Sequence, residues 1–189
     1  MKIISATVAL AILGSASLFA GQYNIDTSHS TVGFKVKHMM ISDVSGKFDN
    51  FNGSFEYDEK TKTLKSLSGN IQTASINTAN EKRDGHLKSP ELFDAQKYPQ
   101  ITFALEKVKG DNAYGKLTMH GVTKNVVLDL ENNGMIKDPW GNQRVGLGLS
   151  GKINRKDYGI TWNTVLEAGG VAIGETVKLD IQLEGILAK

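Results

Sequence analysis

Residues 31–38 read TVGFKVKH, and this short stretch sets a pattern that most of the chain repeats. The even positions carry mostly apolar side chains, whereas the odd positions carry threonine, glycine and lysine. The even set consists of Val32, Phe34, Val36 and His38. Because successive side chains of an extended strand point to opposite faces, this alternation predicts a strand with one dry face and one wet face.

The same two-residue period recurs along the chain between turn signals such as KGDN at 109–112 and NNG at 132–134. The further strand-like segments are 23–26, 46–58, 67–76, 100–108, 113–120, 123–130, 145–153 and 177–184. Short links predict antiparallel neighbours, and this many strands in one domain favour a closed barrel or a sandwich. A barrel of about eight strands is either filled by its side chains or holds one small ligand. Gly53, Gly115 and Gly151 fall on the apolar phase, which favours free space inside.

Residues 80–99 read NEKRDGHLKSPELFDAQKYP and break the alternation. Ser89 followed by Pro90 is typical of a helix start, so we expect a short helix to begin there. Loops on a rigid scaffold often carry functional groups. We therefore predict that this charged, aromatic crossover forms the polar mouth of a barrel with an apolar interior.

Composition narrows the function classes. The chain has 189 residues, no Cys, and 22 basic against 20 acidic residues. One domain of this size can build a core without disulfides, and the small net charge gives no reason to expect a nucleic-acid partner. Residues 1–20 combine Lys2, a short apolar run and a small residue at Ala20, which is typical of a secretory signal peptide. The mature chain, 21–189, is then expected in a bacterial periplasm, without stable membrane insertion.

Several blocks in a fixed order identify a family resemblance. They are YNIDxxHSxVxFxVxH at 23–38, VxGxF at 44–48, RDxHL at 83–87, FD at 93–94, KYP at 97–99, GxLT at 115–118, GVTK at 121–124 and NRxDYG at 154–159. Together they resemble the YceI-like, polyisoprenoid-binding family of secreted bacterial proteins. The resemblance implies an all-β fold, namely an extended antiparallel eight-stranded lipocalin-like barrel with one short helical crossover. It also implies a long hydrophobic cavity for an isoprenoid or another long amphiphile, and homodimers as one form of assembly.

The inward-facing apolar residues are the candidate lining of that cavity. Alternation alone leaves open whether they pack on each other as a dry core or surround a ligand. The resemblance favours a lining role in the middle of the barrel. The candidates are Phe34, Val36, His38, Phe48, Phe51, Phe55, Ile71, Phe103, Leu117, Leu128, Leu147 and Leu179.

Charged residues of the crossover are the candidate contacts for a ligand head group. Arg83, His86 and Lys97 could meet a phosphate, carbonyl or carboxylate. Asp84 could orient His86 or neutralise Arg83. The same residues could instead form a structural ion network that pins the crossover to the barrel.

Motifs for metal binding or catalysis are missing from the sequence. The four histidines show no metal-like spacing, and no nucleophile elbow or phosphate-binding glycine loop occurs, so we expect no metal, no cofactor and no catalytic group. The sequence therefore favours a carrier or sequestering protein for a long-chain amphiphilic lipid. Two alternatives remain: an isoprenoid- or quinone-modifying enzyme that uses Arg83, Asp84 and His86, and a stress-response partner whose cavity is incidental.

Overall fold

A computed structural model of the chain describes residues 20–165 and 170–189. The predicted signal peptide therefore lies outside the described residues, apart from Ala20. The described strands are β1 (Gly21–Ile25), β2 (Thr31–His38), β3 (Ser42–Phe48), β4 (Phe51–Asp58), β5 (Thr63–Gln72), β6 (Ile76–Asn77), β7 (Gln100–Lys109), β8 (Asn112–Met119), β9 (Val122–Lys137), β10 (Gln143–Asn154) and β11 (Ile173–Leu187). One α-helix, α1 (Glu81–Lys88), interrupts them, and no helix among the described residues has the length and apolar character needed to cross a bilayer.

The strands close into a single antiparallel barrel. β1 and β2 pair with the same edge of β11, through Tyr23↔Leu187 and Phe34↔Leu179, so they act as two halves of one interrupted strand. β3 and β4 continue each other in the same way, and so do β5 and β6. Eight long strands result, each beside its neighbours in the chain, and the last pairs with the first. The predicted eight-stranded barrel is confirmed.

The two ends of the barrel differ. At the end where β1 meets the end of β11, aromatic residues fill the interior: the rings of Tyr23 and Phe55 stack with centroids 5.3 Å apart, and Leu147 is buried beside them. Gly185 faces this cluster, and a β-carbon there would collide with the Phe55 ring. We call this the far end. The opposite end, where His38 pairs with Ile173, is the mouth end.

The three glycines that favoured internal space do not provide it. A β-carbon on Gly115 would lie 2.6 Å from the Ala104 carbonyl oxygen and from the Phe103 ring, and one on Gly151 would lie 2.7 Å from Leu128. A β-carbon on Gly53 would come even closer to the Ser68 carbonyl oxygen. These positions let neighbouring strands and side chains approach closely, so the expectation drawn from them was wrong.

The helix of the crossover begins earlier than the sequence predicted. The Asn80 side chain accepts a hydrogen bond from the Arg83 amide at 3.0 Å, which caps α1 at its N-terminus. Ser89 ends the helix in an extended conformation, as expected for a residue before proline. After Ser89 the chain makes only turns, because Phe93 N bonds back to Leu87 O and Asp94 takes a φ of 44°. The helical crossover exists as expected, but Ser89 is its end rather than its start.

Candidate ligand-binding cavity

An apolar cavity of about 110 Å³ occupies the middle of the barrel. We call it the inner chamber. Asn52 is the one polar residue among its described lining residues. These residues are Ile25, Val32, Gly33, Phe34, Phe48, Phe51, Asn52, Leu67, Gly69, Ile71, Ile101, Phe103, Leu117, Met119, Val126, Leu128, Leu149, Ile153, Leu179, Ile181 and Leu183.

A second cavity, the outer chamber, has a volume of about 210 Å³ and lies between the mouth end of the barrel and the crossover. It shares Phe34, Phe48, Met119, Ile153 and Leu179 with the inner chamber, so the two meet at these residues. Its further described lining is Val36, Lys37, His38, Val44, Thr78, Arg83, His86, Leu87, Leu92, Phe93, Arg155, Ile160, Ile173 and Val177. Among the described residues, charged side chains therefore line only the outer part of the cavity.

The residues predicted to line a cavity fall into four groups. Phe34, Phe48 and Leu179 line both chambers, and Val36 and His38 line the outer chamber. Phe51, Ile71, Phe103, Leu117 and Leu128 line the inner chamber. Phe55 and Leu147 line neither, because they are buried in the packed far end.

Arg83 and His86 reach the outer chamber from α1. The Arg83 guanidinium donates from Nε to Thr78 Oγ1 at 2.7 Å and from Nη2 to Thr78 O at 2.8 Å, which fixes its position. His86 Nε2 lies 2.7 Å from Glu91 Oε2, and its ring meets the Trp162 ring edge-on at a centroid distance of 4.6 Å. Both residues are therefore held by other parts of the crossover and its surroundings.

Asp84 and Lys97 do not line either chamber. Asp84 is buried and accepts hydrogen bonds from Thr78 N at 2.9 Å and from Thr78 Oγ1 at 2.5 Å. It therefore shares Thr78 with Arg83, and it does not hydrogen-bond to His86. Lys97 is exposed, with its Nζ 5.2 Å from the centre of the Tyr98 ring. Asp84 thus organises the start of the helix, whereas Lys97 lies on the surface.

Arg155 is a further candidate site residue that the sequence did not predict. It lines the outer chamber and is only 5% exposed. Its Nη1 donates to the carbonyl oxygens of Ile160 at 2.7 Å and Trp162 at 2.8 Å. Its Nε donates to Gly174 O at 3.0 Å and its Nη2 to Ile173 O at 3.5 Å. A guanidinium has five N–H groups, so one on Nη2 is left over.

The charge of Arg155 is balanced mainly by backbone dipoles. No carboxylate of the described residues lies within salt-bridge distance of it, and the nearby Glu175 pairs with Lys156 Nζ at 2.5 Å. Burial lowers the pKa of Arg155, an effect that the charge of Glu175 partly opposes, but a guanidinium stays protonated regardless. The sequence did contain a signal, since Arg155 continues the inward phase of Leu149 and Ile153 on β10.

A second polar cluster lies at the far end, away from both chambers. Arg144 Nη1 donates to Asp26 Oδ2 at 2.9 Å and to Glu184 Oε1 at 2.5 Å, and its Nε donates to Asp138 Oδ2 at 2.7 Å. Hydrogen bonds from Ser28 and His29 hold the pKa of Asp26 well below its ordinary value, with Arg144 adding to the effect. Asp26, His29 and Glu184 are close enough to surround a cation, but the guanidinium already occupies that position. The cluster therefore has a structural role.

A closed antiparallel barrel whose apolar cavity reaches a charged mouth defines a class of proteins, the up-and-down barrels built to hold a small ligand. The YceI-like domain family matches residues 23–185. The chain belongs to the YceI-like family, as its sequence blocks predicted.

Relatives and solved structures agree with this assignment. A UPF0312 protein of Staphylococcus aureus is 39% identical over 163 residues, which is 86% of this chain and 95% of the relative. The crystal structure of a YceI protein of Campylobacter jejuni is 34% identical, with a TM-score of 0.71 over 87% of this chain and 96% of that chain. A polyisoprenoid-binding domain of Saccharophagus degradans is 18% identical, with a TM-score of 0.66 over 90% of this chain and 99% of that chain. At that identity the likeness concerns the fold alone.

Proposed function

We propose that the chain binds a long-chain amphiphilic lipid, with the apolar tail in the two chambers and the polar head near the outer part of the cavity. The lipid class is a polyisoprenoid, an isoprenoid quinone or a fatty-acid-like molecule, and binding serves its transport or sequestration in the periplasm. The observation that carries this proposal is the pair of adjoining chambers, apolar in the middle of the barrel and charged only towards the mouth.

Burial of the tail supplies the affinity. Transfer of a tail from water gives about 0.8 kcal/mol for each buried CH₂ group. A chain that spans both chambers therefore gains enough to exceed the cost of lost translational and rotational freedom, without any specific contact. The side chains where the chambers meet include Met119, whose flexible thioether can adapt to tails of different branching.

The polar head is proposed to lie near Arg155, Arg83 and His86. Arg155 has one N–H without an acceptor among the described residues, and its charge is not neutralised by a described carboxylate. Buried donors of this kind stabilise a phosphate, a carboxylate or a carbonyl oxygen. The head-group site therefore differs from the one expected from the sequence, because Arg155 joins it whereas Asp84 and Lys97 lie elsewhere.

Family membership supports the proposal. The solved domain of Saccharophagus degradans is described as polyisoprenoid-binding, and the same architecture occurs here with an internal apolar cavity. The sequence features of residues 1–20 support export to the periplasm. Homodimer formation remains a prediction from the resemblance.

The test is to purify the mature chain, residues 21–189, from its own periplasm under gentle conditions. Native mass spectrometry is expected to detect a bound species that organic extraction releases as a long-chain lipid. The protein stripped of lipid is then offered geranylgeraniol, geranylgeranyl phosphate and palmitate. An unliganded mass together with no uptake of any of these probes would contradict the proposal.

The enzyme hypothesis calls for a different arrangement of the crossover. It needs Asp84 or Arg83 to act together with His86, whereas Asp84 bonds to Thr78 and His86 pairs with Glu91. Binding is therefore the function that the geometry favours. Replacing His86 by Ala distinguishes the two: we expect altered affinity for charged head groups and an unchanged probe molecule, whereas an enzyme would convert the probe and lose this conversion in the variant.

A further inference from the structure

The hairpin that joins β2 to β3 exposes three consecutive apolar residues. Met39 is 42% exposed, Met40 57% and Ile41 85%. We call residues 39–41 the mouth tip. Large apolar side chains in such a row are unusual on the surface of a soluble domain and mark a site of interaction.

Two residues of the mouth tip adopt a left-handed backbone conformation, which is unfavourable for residues that carry a side chain. Ile41 N donates to His38 O at 3.1 Å and closes a tight turn. Its central residues, Met39 and Met40, have φ values of 48° and 63°. Two left-handed residues in a hairpin turn are usually Asn and Gly, because a side chain with a β-carbon is disfavoured there. The chain thus keeps two methionines where they cost stability and bury little surface.

The mouth tip lies at the rim of the outer chamber. His38, the residue before it, lines that chamber. Met39 N donates to Ala172 O at 2.8 Å, and Ala172 N donates to Thr164 O at 2.9 Å, so three chain segments run side by side. Val165, which follows Thr164, is 80% exposed. Exposed apolar residues therefore lie on the two outer segments of the three at the opening of the cavity, with the segment of Ala172 between them.

We propose that the mouth tip, together with Val165 across the segment of Ala172, inserts reversibly into the surface of a phospholipid bilayer and holds the outer chamber against it. The inference rests on the proposed function in one respect, namely that the chamber takes its amphiphile from a membrane. This is a peripheral contact of a few side chains and not a membrane span.

The chemistry of the proposed ligand favours a bilayer, rather than a protein, as the partner that the mouth tip contacts. Each additional CH₂ lowers the concentration of free lipid in water by about fourfold. A long-chain amphiphile therefore exists mainly in membranes, and the cavity must approach one in order to fill. Flexible methionine side chains also suit a fluid acyl surface better than a fixed protein groove.

The mouth tip is apolar rather than strongly basic. Lys37 Nζ pairs with Asp43 Oδ1 at 3.1 Å, which offsets the nearest lysine charge. We therefore expect binding to depend on apolar burial and to persist at high salt, where contacts between exposed lysines and anionic lipid are screened.

The test uses flotation of the mature protein with vesicles of phosphatidylethanolamine and phosphatidylglycerol. The key variant combines Met39→Asn with Met40→Gly, the pair that the turn geometry prefers. It is expected to unfold at the same or a higher urea concentration than the wild type, yet to bind the vesicles about tenfold more weakly. Loss of binding then cannot be attributed to misfolding.

Trp140 supplies the matched control. It is 81% exposed in the turn between β9 and β10, at the far end of the barrel. Trp140→Ser removes a large apolar side chain and is expected to leave vesicle binding unchanged. Because the chain has no Cys, Ile41→Cys and Trp140→Cys can each carry one polarity-sensitive dye. The dye at position 41 should shift to shorter wavelength with vesicles, and the dye at position 140 should not.

Three outcomes would overturn the inference. The first is equal vesicle binding by the wild type and the Met39→Asn/Met40→Gly variant. The second is a dye shift at position 140 alone. The third is that the only effect of the Met39→Asn/Met40→Gly variant is to convert a dimer into a monomer in sedimentation. Uptake of geranylgeraniol delivered from detergent is measured in parallel. Normal uptake without vesicle binding refutes the membrane contact alone, whereas an unliganded protein that takes up none of geranylgeraniol, geranylgeranyl phosphate and palmitate refutes the proposed function.

Discussion

Filling the inner chamber should make the protein more stable and a poorer binder of long tails. Gly69 lies on β5 between Leu67 and Ile71, and all three line this chamber. A β-carbon at Gly69 would have the Asn52 carbonyl oxygen, at 4.0 Å, as its nearest neighbour. Gly69→Leu therefore projects a side chain into free space instead of into a packed neighbour.

The size of the effect follows from the number of carbons. Leucine adds four carbons, which displace a similar length of ligand tail at about 0.8 kcal/mol per CH₂. The variant should bind tails that reach the inner chamber about 3 kcal/mol more weakly, which corresponds to about 150-fold in affinity. The free energy of unfolding should rise by about 1 kcal/mol, because leucine buries apolar surface and restricts the unfolded chain more than glycine does.

The assay compares geraniol, farnesol and geranylgeraniol by titration calorimetry, together with urea unfolding. We expect Gly69→Leu to bind geraniol like the wild type and to lose affinity for the longer alcohols. Ser68→Leu is the matched control, because Ser68 is exposed on the opposite face of β5. Its replacement should leave the affinity for all three alcohols unchanged. If Gly69→Leu lowers the stability and binds all three alcohols like the wild type, the inner chamber is packed core and not a tail site.

Three further variants test other parts of the structure. Arg155→Met should weaken binding of geranylgeranyl phosphate by about thirtyfold while sparing geranylgeraniol, because a charge-assisted hydrogen bond to the head is lost. Arg155→Lys should retain part of the preference for the phosphate over the alcohol, and calorimetry measures both affinities. Phe55→Ala should lower the free energy of unfolding in urea by about 3–5 kcal/mol without altering alcohol affinity, because Phe55 packs at the far end. Asp26→Asn should lower stability at neutral pH by about 1–3 kcal/mol. Since the pKa of Asp26 is depressed in the folded state, its contribution exists above about pH 4 and is lost on acidification, so the two urea midpoints should converge at low pH.

Local rules predicted the strands and part of the crossover, and the family resemblance selected the barrel over a sandwich. Alternation on β2 and β10 reflects which face of a strand meets water, a property of neighbouring residues that tertiary packing did not override. The helix was misplaced because Ser89 and Asn80 both satisfy the local rule for a cap. Which of the two residues begins the helix depended on the hydrogen bond from Phe93 N to Leu87 O and on the left-handed conformation of Asp94, neither of which the sequence reveals.

The candidate site was predicted less completely than the fold. Arg83 and His86 face the outer chamber, whereas Asp84 on the same helix is turned towards Thr78. Arg155 was not predicted because the inward phase of β10, which it follows, was visible in the sequence but its hydrogen-bond acceptors were not. These are carbonyl oxygens, such as those of Ile160 and Gly174, and backbone groups carry no mark in a sequence.

The sequence by itself determined that the strands have one apolar face and, through its likeness to the YceI-like family, that they close into an antiparallel barrel. Only the tertiary structure decided which part of that barrel is hollow. Phe51 and Phe55 lie on the same face of β4, yet Phe51 lines the inner chamber whereas Phe55 stacks on Tyr23 in the far end. A two-residue period encodes the direction of a side chain but not its depth along the barrel axis. Depth is set by which strands cross at that level and by how much of the interior their side chains fill.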